Sequence, residues 1–171
     1  RTNPPVAGRE LPKPSGVFTA VDRVSFRIPQ GSIFGFLGAN GAGKSTTIRM
    51  LLGITPVTSG GGTVLGRDIR TQAQEIRSHV GYMAQKFSLY EDLTVAENLD
   101  FFAGLFGLDG QRKRHRIAAL TDLVRLKGTE NEFAVDLPGG VRQRLALAVA
   151  LVHDPDIIFL DEPTGAVDPA L

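Results

Sequence analysis

Nine consecutive residues, Gly38–Thr46, combine the residue types and the spacing that hold a phosphate chain. Their sequence GANGAGKST fits the P-loop pattern G-x-x-x-x-G-K-[ST]. The glycines let the backbone curl so that successive N–H groups point inward at an anion. Lys44 adds a mobile positive charge for the β- and γ-phosphates, and the Ser45 hydroxyl is a hard oxygen ligand for Mg²⁺. The stretch therefore predicts nucleotide binding.

The segments on either side predict the strand, loop and helix context that this motif requires. The apolar run Ile33–Leu37 predicts a buried strand, and Thr46–Leu52 predicts a helix that is closed by Gly53. The positive end of that helix would strengthen the field around a bound phosphate. The alternative is a glycine turn that happens to precede a lysine, but it leaves both flanking elements unexplained.

Two carboxylates follow a second apolar run. Ile157–Leu160 predicts a buried strand, and Asp161 and Glu162 come directly after it. A carboxylate at the tip of a strand, in a chain with a P-loop, is the Walker B pattern, in which Asp161 would hold Mg²⁺ through water. Taken alone, the pair is equally typical of a solvated strand end.

Bulk composition excludes several classes of protein. The 171 residues suffice for about one domain, and a hydrophobic content of 42% is ordinary for a globular chain. The net charge of +1 gives no argument for a nucleic-acid partner, and with no cysteine there is neither a disulfide nor a thiolate metal site. No apolar run is long enough to span a bilayer. Because the chain begins at Arg1 rather than at methionine, we expect it to belong to a longer protein.

The N-terminal third predicts β structure after a short tail. Residues 1–14 contain four prolines and no periodicity, and we expect a linker or tail there. Two short strands are predicted at Val17–Val21 and Val24–Ile28. Beyond the P-loop helix we predict a strand, a helix and a strand at Thr63–Gly66, Arg70–Ser78 and Val80–Ala84.

The pattern then becomes helical and interrupts the alternation of strands and helices. From Thr94 to about Leu126 the apolar residues recur at helical spacing, and Thr94 with Glu97 forms a capping-box pair. A further helix is predicted from Val141 to about His153. The basic cluster Gln111–Arg116 favours a solvated helix face over a nucleic-acid patch.

Taken together, these segments resemble the ATP-binding cassette (ABC) family over roughly residues 15–171. The segments that carry the resemblance are the P-loop Gly38–Thr46, Gln85 after the strand Val80–Ala84 (the Q-loop glutamine), Leu137–Gly140 with Gln143 (the signature), Leu160–Pro163 (Walker B) and Gly165–Asp168 (the D-loop). Gly81–Gln85 and Leu145–Pro155 are especially similar to the ATPase subunits of bacterial ABC-2-type exporters, including those for multidrug export.

The resemblance implies an α/β fold. Its core is that of a P-loop NTPase (ABC ATPase), with an N-terminal antiparallel β part and an inserted α-helical subdomain at about residues 87–153. The family's final strands and switch histidine would lie beyond Leu171, so we expect a C-terminally truncated domain. Such a fragment would bind nucleotide but turn it over poorly.

The resemblance also implies a head-to-tail dimer of two ABC ATPase domains, identical or different, with ATP and Mg²⁺ at the interface. Glu162 would polarise the attacking water, and Gln85 would touch Mg²⁺ or that water. The metal ligands would be Ser45, Gln85 and Asp161. The nucleotide would be bound by Gly38, Ala39, Asn40, Gly41, Ala42, Gly43, Lys44, Ser45, Thr46, Gly139, Gly140 and Asp168, the last of which would also carry signals between the two sites.

Two positions depart from the family pattern. Pro138 stands where the signature usually has serine, and proline has neither a hydroxyl nor an N–H to offer the γ-phosphate. We therefore expect a weakened signature contact. Ser15 stands where the family stacks an aromatic residue on adenine, and Phe18 is the nearby substitute.

The implied function is the ATP-hydrolysing subunit of an exporter, bound to a transmembrane permease at the cytoplasmic face of the bacterial inner membrane. No nucleic-acid partner is expected. Phe87, Leu89, Tyr90 and Leu93 would form a groove for a short helix of the permease, although the same side chains could instead pack the helical block onto the core. The alternative function is a soluble ABC-type ATPase that acts on nucleic acid or the ribosome.

Overall fold

The structure, a computed structural model, describes residues 6–9, 14–15, 18–19, 21, 24–39, 41–85 and 89–161. It divides into two compact units, Arg1–Arg77 and Ser78–Leu171. No helix within the described ranges is long and apolar enough to cross a lipid bilayer.

The first unit contains an antiparallel sheet of four strands in the order β4-β1-β5-β6. These strands are β1 (Val6–Arg9), β4 (Phe26–Ile28), β5 (Gly61–Val64) and β6 (Arg67–Asp68), and a separate antiparallel pair is formed by β2 (Pro14–Ser15) and β3 (Phe18–Thr19). The segment assigned to a linker or tail therefore contributes a strand, because β1 pairs with both β4 and β5. Four residues between prolines carry little local signal, and the pairing that defines β1 lies far away in sequence.

Two helices complete the first unit, α1 (Lys44–Leu51) and α2 (Ala73–Ser78). Gly53 ends α1 as predicted, with a φ of 62° and its N–H donating to the Met50 carbonyl at 3.1 Å. A Cβ at Gly53 would lie 2.3 Å from the Ala73 Cβ, so glycine also lets α2 approach. The buried apolar side chains of this unit are Val21, Ile48, Met50, Leu51, Leu52, Val64, Ile69 and Ile76.

The predicted buried strand at Ile33–Leu37 is wrong for this structure. The run has no strand assignment, and Ile33 and Leu37 are fully exposed. An apolar composition specifies a preference for burial, but a strand also needs a neighbour for its backbone, and none of the described strands pairs with this run. Phe34 and Phe36 do pack their rings on Phe26, with centroids 5.9 and 5.2 Å away.

The second unit is built on two parallel strands, β7 (Val80–Met83) and β8 (Ile157–Leu160), both close to their predicted positions. The helix α5 (Gly139–Leu151) packs on β7 through small residues. Gly81 is essential to this contact, because a Cβ there would lie 2.3 Å from the Ala150 carbonyl oxygen.

The predicted helical block is α3 (Val95–Leu105), α4 (Gly110–Leu123), a short 3-10 helix (Ala134–Asp136) and α5. The capping box before α3 is confirmed, since Thr94 Oγ1 accepts from the Glu97 N–H and the Glu97 carboxylate accepts from the Thr94 N–H. That backbone N–H lowers the pKa of Glu97. The core of the block includes Val95, Leu99, Ala103, Leu120, Leu126, Leu145, Ala148 and Val152.

Two cations of the basic cluster Gln111–Arg116 are engaged inside this unit. The Lys113 ammonium lies 2.6 Å from an Asp100 carboxylate oxygen. The Arg116 guanidinium donates to the carbonyls of Leu151 and Val152 at the end of α5. The other four residues of the cluster are exposed, as expected for a solvated helix face, whereas the half-buried Lys113 and Arg116 tie α4 to its neighbours.

Candidate nucleotide-binding site

The P-loop has the backbone conformation that its glycines predict. Gly41 and Gly43 have φ values of 83° and 84°, in the left-handed region that favours glycine. Between them the chain turns so that the Ala42 N–H donates to the Ala39 carbonyl at 3.1 Å. The chain therefore turns back on itself immediately before α1.

The Lys44 side chain folds back over this loop. Its ammonium donates to the Gly38 carbonyl at 2.7 Å and to the Ala39 carbonyl at 3.0 Å. These two bonds hold a positive charge against the loop. A phosphate chain in the loop would meet that charge at short range.

The start of α1 adds to the same field. The backbone N–H and the hydroxyl of Thr47 both donate to the Gly43 carbonyl, at 2.8 and 2.9 Å. The N–H groups in the first turn of a helix have no intrahelical acceptor, and the helix dipole is positive at this end. The first turn carries Ser45 and Thr46, both half-buried, so a hydroxyl ligand and two N–H donors stand next to the loop.

In the second unit, Gln85 and Asp161 lie at one edge of the parallel pair. Asp161 directly follows β8, its side chain is buried, and its N–H donates to the Met83 carbonyl at 2.9 Å. Gln85 comes two residues after the end of β7 and is exposed. Parallel strands bring their carboxyl ends to the same edge, so two of the predicted metal-site residues follow neighbouring strand ends.

The predicted signature lies at the start of α5. Pro138 is the N-cap residue, and its carbonyl accepts from the N–H groups of Val141 and Arg142 at 2.9 Å each. Proline supplies no side-chain cap here, as expected. Gly139 and Gly140 are exposed in the first turn, where helical N–H groups have no intrahelical acceptor. These N–H groups remain suited to a phosphate even without the serine hydroxyl.

The other predicted site residues are divided between the two units or lie outside the described residues. Asn40, Glu162 and Asp168 lie outside the described residues. The P-loop belongs to the first unit, whereas Gln85, Asp161 and the signature belong to the second. In the β2–β3 pair, Ser15 and Phe18 are partners in register, so the substitute aromatic residue stands directly across from the position it would replace.

Sequence reasoning missed two residues. The Tyr82 hydroxyl lies 3.4 Å from Asp161 Oδ2, a contact that depends on the register of β7 and β8. The buried Asn98 accepts from the Tyr90 N–H and donates to the Tyr90 carbonyl, both at 2.9 Å. The sequence could have indicated Asn98, because it is a polar residue on the same helical face as the apolar residues Val95 and Leu99.

The known proteins that this chain resembles agree with the geometry. A family profile described as ABC transporter matches residues 21–165. The chain belongs to the ABC transporter family. Its predicted family, its P-loop NTPase fold class and its ATP-binding function are thereby confirmed, whereas the roles of individual site residues stay predictions.

Two ABC transporter proteins illustrate the similarity in sequence. The probable multidrug ABC transporter ATP-binding protein YbhF of Escherichia coli is 49% identical over 164 residues, which are 96% of this chain and 28% of that protein. The Nod factor export ATP-binding protein I of Cupriavidus pinatubonensis is 40% identical over 161 residues, which are 94% of this chain and 50% of that protein. The chain thus spans half or less of the length of these two relatives.

Solved structures of ABC transporter subunits match the fold. The structure of cbiO1 from Clostridium perfringens, part of the ABC transporter complex cbiONQ, has a TM-score of 0.85 and 25% identity, over 98% of this chain and 69% of that one. An ATP-binding subunit of another ABC transporter has a TM-score of 0.84 and 26% identity. The fold class is therefore supported independently of the motifs.

Proposed function

We propose that this chain is the ATP-hydrolysing domain that powers export of a substrate by an ABC transporter. The observation that carries the proposal is the P-loop, with the Lys44 ammonium 2.7 Å from the Gly38 carbonyl and α1 beginning at that lysine. The similarity to proteins named for multidrug and Nod factor export supports export over other uses of ATP. Neither name identifies the substrate of this protein.

The proposed reaction is attack of water on the γ-phosphate in line with the leaving group. Such a reaction depends mainly on positioning and on stabilisation of charge. Lys44 and the first-turn N–H groups of α1 would neutralise charge on the phosphates, and Glu162 would orient the water. Gln85 would sense whether the γ-phosphate is present.

The residues fit Mg²⁺ as the accompanying ion. Ser45, Gln85 and Asp161 offer hydroxyl, amide and carboxylate oxygens, which are the donors that Mg²⁺ prefers. When bound, the ion would supply positive charge that offsets the negative charge developing on the phosphates. On the protein side, Asp161 is held at the end of β8 by its backbone bond to Met83, which limits where its carboxylate can point.

We further propose that two such domains pair head to tail. Gly139 and Gly140 at the start of α5 would then meet the γ-phosphate bound by the P-loop of the partner domain, and Asp168 would lie between the two sites. Exposure of both glycines supports this assignment. Their N–H groups and the dipole of α5 would supply the contact that the serine of other family members reinforces.

Restoring the hydroxyl, with Pro138→Ser, is expected to raise the ATPase rate or the ATP-driven dimerisation of the full-length protein about tenfold. A hydrogen bond to a charged phosphate contributes on the order of 1.5 kcal/mol, and serine is also a better N-cap than proline. Steady-state hydrolysis and size-exclusion chromatography with ATP measure the two effects. Pro138→Ala, which restores the N–H without a hydroxyl, is the matched control. Equal rates for proline and serine would contradict the proposal.

The proposed permease contact would use an exposed apolar surface of the second unit. We define the aromatic surface as Tyr90, Phe101 and Leu105, all exposed, with the rings of Tyr90 and Phe101 at a centroid distance of 4.7 Å. Of the groove residues predicted from sequence, Phe87 lies outside the described residues, and Leu89 packs against the helical core. Leu93 is half-buried, and Tyr90 is the exposed member of that set among the described residues.

Hydrogen bonds to Asn98 hold the backbone at Tyr90, one of the residues of the aromatic surface. Its amide donates to the carbonyls of Tyr90, Leu93 and Thr94 at 2.9 to 3.2 Å. It also accepts from the Tyr90 N–H, so a fully buried amide holds the segment that follows Gln85 in the chain. A segment held in this way can pass a displacement from a docked helix back to the Q-loop.

The test is purification of the full-length protein from detergent-solubilised membranes. We expect a stoichiometric partner with several membrane spans, or such spans in the protein itself, identified by mass spectrometry. Tyr90→Ala with Phe101→Ala should reduce co-purification or transport at least tenfold while the protein still melts cooperatively, because truncating central aromatic anchors costs about 2 kcal/mol or more each. Leu123→Ala, which truncates an exposed leucine on α4, is the control. A protein free of membrane partners that carries ribosomes or nucleic acid would contradict the proposal.

A further inference from the structure

Tyr82 and Asp161 meet across the parallel pair of strands. In the register of β7 and β8, Tyr82 stands opposite Phe159. Asp161 is two residues further along, so its side chain points to the same face as that of Phe159. Tyr82 is thus the diagonal neighbour of Asp161 on the adjacent strand. Its ring reaches across the two strands and places the hydroxyl 3.4 Å from Asp161 Oδ2.

The backbone of Asp161 is already fixed by the N–H bond to the Met83 carbonyl. The direction of the carboxylate oxygens, which depends on the side-chain torsions, decides whether the group can serve an ion. The carboxylate is only 2% exposed, so bulk water contributes little to its orientation. A hydroxyl donor on a rigid aromatic ring is well suited to select one rotamer.

We propose that Tyr82 is a positioning residue for Asp161, orienting the carboxylate for the metal ion of the ATPase site. The inference rests on the proposed metal role of Asp161. At 3.4 Å the contact is longer than a strong O–H···O bond, so it directs Oδ2 weakly.

Tyr82→Phe tests this in the full-length protein, because it removes only the hydroxyl. The probe is Mn²⁺, whose free form is counted by electron paramagnetic resonance while a non-hydrolysable ATP analogue saturates the protein. We expect Mn²⁺ affinity to fall about tenfold, as is typical when the partner of a metal ligand is lost. Affinity for the analogue in the presence of EDTA should stay unchanged. Ser59→Ala, which removes an exposed hydroxyl in the loop between α1 and β5, should leave Mn²⁺ affinity as it was.

A double-mutant cycle with Asp161→Asn separates the two proposals. If Tyr82 acts through Asp161, Tyr82→Phe will lower Mn²⁺ affinity less than twofold further in the Asp161→Asn background. An undiminished effect in that background, or unchanged Mn²⁺ affinity in Tyr82→Phe alone, would overturn the positioning role. If Asp161→Asn itself leaves Mn²⁺ affinity unchanged, the metal role of Asp161 fails, and the inference about Tyr82 fails with it.

Discussion

Replacing Lys44 with alanine is expected to lower the ATPase rate of the full-length protein at least a hundredfold. The Lys44 ammonium is held against the loop by the carbonyls of Gly38 and Ala39, so its charge is positioned before any phosphate arrives. Removing one such donor from a developing negative charge typically costs a factor of about 100 to 1,000 in rate. Alanine is the best helix former, so α1 should persist.

Arg49→Ala is the matched control for Lys44→Ala. It removes the same unit of charge from the same helix, but Arg49 is exposed in the last turn of α1, away from the P-loop. We expect its rate to stay within about twofold of the parent, with a small loss of stability because the cation at the end of the helix is lost. Hydrolysis under saturating ATP and nucleotide affinity by titration should both be measured. A Lys44→Ala variant that keeps a tenth of the parental rate would refute the proposed role.

Local patterns sufficed for much of the fold. The capping box at Thr94 and Glu97 is encoded within one helical turn, and the glycine at position 53 that ends α1 follows from a single backbone requirement. The strands β7 and β8 are short apolar runs that pair with each other in parallel. The P-loop could be predicted for the same reason, since its conformation is set by its own glycines and the helix that follows.

Features that depend on distant pairing could not be predicted in this way. Val6–Arg9 becomes a strand because β4 and β5 flank it, and nothing in its four residues specifies those neighbours. Ile33–Leu37 illustrates the opposite case, in which a strongly apolar run has no described strand beside it and stays exposed. The contact of Tyr82 with Asp161 also depends on a register that alternation alone leaves open, because a one-residue shift would turn Tyr82 to the other face.

The close contact between α5 and β7 gives the largest expected effect on folding. Gly81→Ala would put a Cβ 2.3 Å from the Ala150 carbonyl oxygen and 3.1 Å from Pro155 Cγ. Cβ atoms do not tolerate a backbone oxygen closer than 3.0 Å, and neither neighbour is the free end of a flexible side chain, so α5 must move away from the strand. We expect the free energy of unfolding to fall by about 3 kcal/mol or more, because the added methyl group overpacks a backbone contact.

Gly104→Ala serves as the matched substitution in the same unit. Gly104 lies inside α3, where the nearest atom to an added Cβ is the flexible Lys113 Nζ at 3.5 Å. The same methyl group should there stabilise the protein by about 0.5 to 1 kcal/mol, since alanine favours the helix over glycine. Thermal or urea unfolding of both variants measures the contrast. The helix α5 also begins with Gly139 and Gly140, so its displacement should move the predicted signature. We therefore expect Gly81→Ala to lower ATP-driven dimerisation even where the protein remains folded. Equal stability of the two alanine variants would show that α5 and β7 do not approach each other this closely.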